Sequence, residues 1–148
     1  MPAIERAKTK EEAEMEELLE VRRDNIANLE RMVYACIFQV DARLDPPPGD
    51  LDITFCVGNF SIFELELKAL RGDITINGRA AGRFLDEKGY RLPRQSISLV
   101  KTACPLRLDD REVLLQDRFL KVGVEMRGTF VGPRTVERSG SLSYTLFL

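Results

Sequence analysis

The stretch Phe119–Val131, FLKVGVEMRGTFV, sets Leu120, Val122, Val124, Met126 and Phe130 on one side of an extended chain. Successive side chains of a pleated backbone point to opposite faces, so this period of two predicts a long strand with one face buried. Gly132-Pro133 ends it, because proline cannot donate to a ladder. The same alternation recurs on both sides. Downstream, Leu142, Tyr144 and Leu146 alternate with Ser143 and Thr145. Upstream, Ser96–Lys101 alternates around Ile97 and Leu99, and Tyr90–Pro93 reads as a turn. Ile74 and Ile76 lead into Asn77-Gly78, a pair that tolerates the positive φ of a type I′ hairpin, with Ala80–Phe84 as the return strand.

Further upstream, Phe63–Leu67 is another candidate strand. Before it, Leu51, Ile53, Phe55 and Val57 alternate with Asp52, Thr54 and Cys56. In the first strand, Tyr34, Cys36, Phe38, Val40, Ala42 and Leu44 are expected on one side, with Pro46-Pro47-Pro48-Gly49 as the stop. Phe38, Phe55, Leu67, Ile76, Leu99 and Val124 are the bulky residues expected to fill the interior. About seven short strands separated by turn signals predict an all-β sandwich or barrel, and no βαβ alternation appears.

Residues 9–32 follow a helical period instead. Thr9 and Glu12 fit a capping box, and acidic residues crowd the first turns, where the helix dipole favours them. Met15, Leu19, Ile26 and Leu29 fall at alternating steps of four and three, with Arg22 interrupting, and mark a candidate assembly seam of a short coiled coil. The alternative is a helix laid against the domain. Residues 1–32 are therefore read as an amphipathic helical segment and 33–148 as the β domain. A second capping box, Asp109 with Glu112, predicts one or two helical turns through Arg118.

Composition narrows the function classes. The chain has 148 residues, 44% of them hydrophobic and 31% charged, with a net charge of −2. That suits one folded domain with an appendage. No run approaches the roughly 20 apolar residues of a membrane span, and the start has no apolar signal region. Phosphate-based recognition of nucleic acid needs clustered positive charge, which this balance does not supply. Histidine is absent, which excludes Ser-His-Asp, Cys-His and zinc-histidine chemistry. Cys36, Cys56 and Cys104 form an odd set without a CxxC pair and read as small buried hydrophobes in a reducing, cytoplasmic setting.

Leu51 to Val131 resembles the LEA14/WHy-type domain, a late embryogenesis abundant group 2 module. The resemblance rests on LDITFCVGN, then FSIFELELKALRGDITINGR continuing into AAGRF, then LPRQSISLVK and FLKVGVEMRGTF. Members usually carry Asn-Pro-Asn at the break where this chain has Gly58-Asn59-Phe60. The resemblance implies an immunoglobulin-like antiparallel β-sandwich of about seven strands. It also implies a non-catalytic role linked to stress or desiccation tolerance, with Asn59 in a structural turn.

Candidate chemistry is sparse. Asp109, Asp110, Glu112 and Asp117 lack the spacing and turn glycine of a calcium loop and read as a cap and solvated face. Asp50 and Asp52 share a strand face without a third ligand. Asn59-Phe60-Ser61 is a glycosylation sequon by chance, and Cys104 has only Lys101 nearby to lower its pKa. The arginines at 71, 79, 83, 91 and 94 are interleaved with acids, as on an ordinary solvated face. Phe60, Ile62 and Phe63 form a candidate docking patch, or else plug the end of the sandwich. No catalytic, cofactor-binding or metal-ligating residues are assigned. A non-catalytic binding or scaffold module is the reading, with a protein partner or homo-oligomerisation through the helix. The alternative is a carrier of an apolar or lipid ligand within the sandwich.

Overall fold

The computed structural model describes residues 9–44, 46, 48–107 and 118–147. The acidic cluster at Asp109, Asp110, Glu112 and Asp117, and the helical turns expected with it, lie outside the described residues. Helix α1 spans Lys10–Ala27, and Thr9 caps it by accepting a hydrogen bond from the Glu12 N–H at 3.1 Å. A 3₁₀ turn at Leu29–Arg31 follows.

The strands among the described residues are β1 (Val33–Arg43), β2 (Asp50–Asn59), β3 (Leu65–Ile76), β4 (Arg79–Asp86), β5 (Tyr90–Leu92), β6 (Ser96–Pro105), β7 (Phe119–Val131) and β8 (Thr135–Phe147). They form two sheets with every pairing antiparallel. One sheet is ordered β1-β2-β6; the other is β4-β3-β7-β8, with β5 also paired to β3. The all-β sandwich with an N-terminal helix is thus the architecture. Eight strands replace about seven, because the expected turn at Tyr90 contains the three-residue β5, too short for alternation to register. Asn77 and Gly78, with φ of 51° and 80°, make the β3–β4 hairpin turn as expected.

The core lies between the sheets. Leu51, Ile53, Phe55 and Val57 of β2 face Leu65, Leu67, Leu70, Ile74 and Ile76 of β3 and Leu120, Val122, Val124, Met126 and Phe130 of β7. Phe55 packs on Phe84 with ring centroids 5.8 Å apart. Each fully buried large side chain contributes about 1.5–3 kcal/mol relative to exposure. At one margin, Arg107 N–H donates to the Ala81 carbonyl and ties the end of β6 to β4.

Three expectations about which way side chains face need correction. In β1 the register with β2 shifts between Ile37 and Gln39. This bulge inserts one unpaired residue and reverses the alternation, so Val33, Ala35 and Ile37 face the core before it, and Val40 and Ala42 after it. Tyr34, Cys36 and Phe38 therefore point outward, with Phe38 56% exposed. In β6 the inward set is Val100, Thr102 and Cys104, leaving Ile97 and Leu99 exposed at 63% and 59%. Among the cysteines, Cys104 is buried, but Cys36 is exposed and Cys56 only half-buried.

Candidate interaction surface

The C-terminal end of α1 is seated on the sandwich, whereas its N-terminal turns overhang. Asn25 is buried and fastens the two together. Its Nδ2 donates to the Val21 carbonyl at 3.0 Å, and its Oδ1 accepts from the Ile62 N–H at 3.0 Å. Arg134, in the turn just before β8, closes the helix end. Its guanidinium donates to the Ile26 carbonyl at 2.7 Å and the Ala27 carbonyl at 3.1 Å, and pairs with Glu30. A cation there satisfies carbonyls that the helix leaves without partners and complements its dipole. A backbone hydrogen bond and then Arg134 hold the Glu30 carboxyl below its usual range. Arg22 lies 5.7 Å from the Phe63 ring centroid, in cation–π range. Leu29 belongs to the sandwich core itself, so its side chain is unavailable to an intermolecular seam.

The helical period places Met15, Leu18, Leu19, Arg22 and Ile26 on the same broad face as Asn25 and Leu29. One stripe therefore has two environments. Its C-terminal third is covered by the sandwich, while Met15, Leu18 and Leu19 are 58%, 66% and 45% exposed. Leu18 was missed in the sequence because a strict heptad count passes over it; the broader apolar stripe of an ordinary amphipathic helix includes it.

The candidate patch Phe60, Ile62 and Phe63 divides in the same way. Ile62 and Phe63 are half-buried where α1 is seated. Phe60 stays 51% exposed and meets Tyr34 edge-on, ring centroids 5.6 Å apart. With Phe38, Ile97 and Leu99 these rings make one end of the outer face of the three-stranded sheet apolar, while Asp52 and Lys101 pair farther along the same face.

Asn59 lies fully buried at the break behind this patch. Its Nδ2 donates to the carbonyls of Phe63, Leu92 and Pro93 at 2.8, 3.1 and 3.2 Å. Its Oδ1 accepts from the Ser61 N–H at 3.1 Å and the Ser61 hydroxyl at 2.7 Å. One amide thereby joins the end of β2, the following loop and the end of β5, and it leaves no room for a glycan.

The outer face of the other sheet carries a shallow concavity of about 830 Å³ lined by Arg71, Asp73, Arg83, Glu87, Glu125 and Arg127. Arg83 pairs with Asp73 at 3.0 Å, so charges of both signs meet there. Buried Asp86 is the other polar centre. It accepts from the Lys88 N–H at 3.0 Å, the Thr102 hydroxyl at 3.1 Å and the Tyr90 hydroxyl. Among the described residues no group of acidic, cysteine or histidine side chains is arranged to hold a metal ion. No described helix is long and apolar enough to cross a membrane.

No family model matches the chain, and no curated protein matches it in sequence. Solved structures do match. A protein from Arabidopsis thaliana, determined in solution, superposes with a TM-score of 0.59 at 10% identity, covering 77% of this chain and 80% of that one. A structural-genomics target solved by X-ray superposes at 0.56 with 8% identity, covering 81% and 89%. A third structure, provisionally named a late embryogenesis abundant protein, gives 0.47 at 16% identity over 93% and 86%. The fold is LEA14-like. Identities this low speak of fold alone. In this LEA14-like sandwich Asn59 holds the break between β2 and β3, the structural place that the sequence resemblance implied for it.

Proposed function

We propose that this chain is a non-catalytic interaction module in which α1 mediates assembly. The occupant proposed for the overhanging stripe is the same stripe of a second copy. One observation carries the reading: Met15, Leu18 and Leu19 stand exposed on a helix whose other end is held by Asn25 and Arg134. An anchored helix has already lost much of the orientational freedom that association would otherwise cost. Two overhangs packed side by side would cover apolar area that water now meets. A stress-protective role in the cytoplasm is part of the proposal, on the strength of the LEA14/WHy resemblance. A carrier of an apolar or lipid ligand has weaker support, because Phe55, Phe84, Phe130 and their aliphatic neighbours fill the space between the sheets.

Light scattering on the full chain and on the double variant Leu18→Asp, Leu19→Asp tests this. Both changes fall on exposed positions, so the sandwich should stay folded in the variant, and any fall in unfolding temperature should be only what association contributes to the parent chain. The expected result is a multimer for the full chain that becomes a 16.8 kDa monomer in the variant. A monomeric full chain, or an unchanged multimer in the variant, would sink the proposal.

A further inference from the structure

Cys36 and Cys56 are direct partners across the β1–β2 ladder. Both face the outer side of the three-stranded sheet, Cys36 exposed and Cys56 half-buried. Directly opposed antiparallel residues have Cα atoms about 4.5 or 5.5 Å apart, according to the type of pair. A disulfide spans Cα separations of roughly 4.4–6.8 Å, so the Cα spacing of either type of pair falls within its range. We propose that Cys36 and Cys56 form a reversible redox-modification site whose co-substrate is a low-molecular-weight disulfide.

The chemistry divides between the two thiols by exposure. The Cys36 thiolate attacks one sulfur of the small disulfide, breaking its S–S bond, forming a mixed disulfide and releasing one thiolate. The Cys56 thiolate then attacks Cys36 Sγ and closes the Cys36–Cys56 bond, releasing the second small thiolate. The two thiol protons pass through solvent to the released thiolates, so one disulfide is reduced to two thiols as the protein dithiol is oxidised. Burial, and then the neighbouring Cys36, hold the Cys56 thiol above its usual range, so the resolving step waits on its deprotonation and quickens as pH rises. Cys104 supplies a contrast within the same chain. It is fully buried, and burial, with the charges of Asp52 and Asp86, pushes its thiol up to about 12.

Trypsin separates the two cysteines, because Arg43 lies between them; Cys36 falls in peptide 32–43 and Cys56 in peptide 44–68. The test exposes the folded full chain to excess oxidised glutathione, quenches it by alkylation and maps the peptides by mass. The expected product is the 32–43 peptide linked to 44–68 within one chain. It should reopen under excess reduced glutathione, as an exposed bond joining neighbouring strands should. Cys56→Ser, which should accumulate the glutathione adduct on Cys36 that the parent chain resolves, gives a second reading. Lasting adducts on both cysteines, a link to Cys104 or to another chain, no reaction, or no extra adduct in Cys56→Ser would each overturn the site.

Discussion

At the scale of single residues, two buried polar side chains do most to define the irregular parts of this sandwich. Asn59 combines donors and an acceptor in one amide, and all of them are used where three segments converge. Removing it would leave carbonyls and an N–H buried without partners, which is costlier than the net worth of the bonds themselves. Asn59→Ala is expected to lower unfolding stability by about 2–4 kcal/mol in urea denaturation. Asn59→Asp keeps the size but turns an acceptor toward three carbonyl oxygens, so it should cost at least as much. Asn25 has the corresponding part at the helix seat, where it spans from the Val21 carbonyl to the Ile62 N–H.

At the scale of elements, the helix is the least uniform part. Its first turns are exposed and begin with a Thr9 cap and an acidic start, whereas its last turn is bound by Arg134 from the turn between β7 and β8. Arg134→Ala removes both carbonyl contacts and the Glu30 pair together. It is expected to cost about 1 kcal/mol, because charge-assisted bonds at a partly exposed site are screened. Its clearer sign should be faster amide exchange across Lys10–Ala27, with the exchange of β3 and β7 unaltered. Equal acceleration everywhere would mean that the helix is not a separate unit. The bulge in β1 is the other decisive element feature. By reversing the alternation it turns Tyr34, Cys36 and Phe38 to the surface, and so creates both the apolar end of the outer face and the exposed thiol.

At the scale of the whole molecule, the pH dependence of global stability should follow the Asp86–Tyr90 pair. Burial by itself would raise the Asp86 pKa, but hydrogen bonds from Tyr90, the Lys88 N–H and Thr102 outweigh it and hold the carboxyl below its ordinary 3.8. A depressed folded-state pKa gives stability that is present above 3.8 and lost as pH falls through the lower folded value. Tyr90 runs the opposite way. Burial first, and then Asp86, push its hydroxyl up to about 12 from 10.0. Its contribution is complete below 10.0 and lost as pH rises through about 12. Denaturant midpoints followed against pH should therefore fall at both extremes. Asp86→Asn should flatten the acid limb relative to the parent chain, and an unchanged acid limb would remove Asp86 from this account.

Much of the architecture was legible along the chain, and the reasons it was, or was not, are physical. Alternation of apolar and polar residues is imposed residue by residue on any half-buried strand, so β2 and β7, the Asn77-Gly78 turn and the all-β class could be read locally. The Thr9 cap and the helical period of α1 are local in the same sense. The facing of β1 and of Leu99 was not legible, because an alternating run has two phases and only its pairing partner selects one. β5 was hidden because three residues carry no period. The division of the helical stripe into a seated end and an overhang depended on Leu29 entering the core and on Arg134 arriving from the far end of the chain. The meeting of Cys36 with Cys56 depended on hairpin register, which the sequence of neither strand contains. Composition and local period determined the class of structure and the absence of histidine-based chemistry. Only tertiary packing, by choosing register, phase and seat, decided which apolar and thiol groups are left facing solvent.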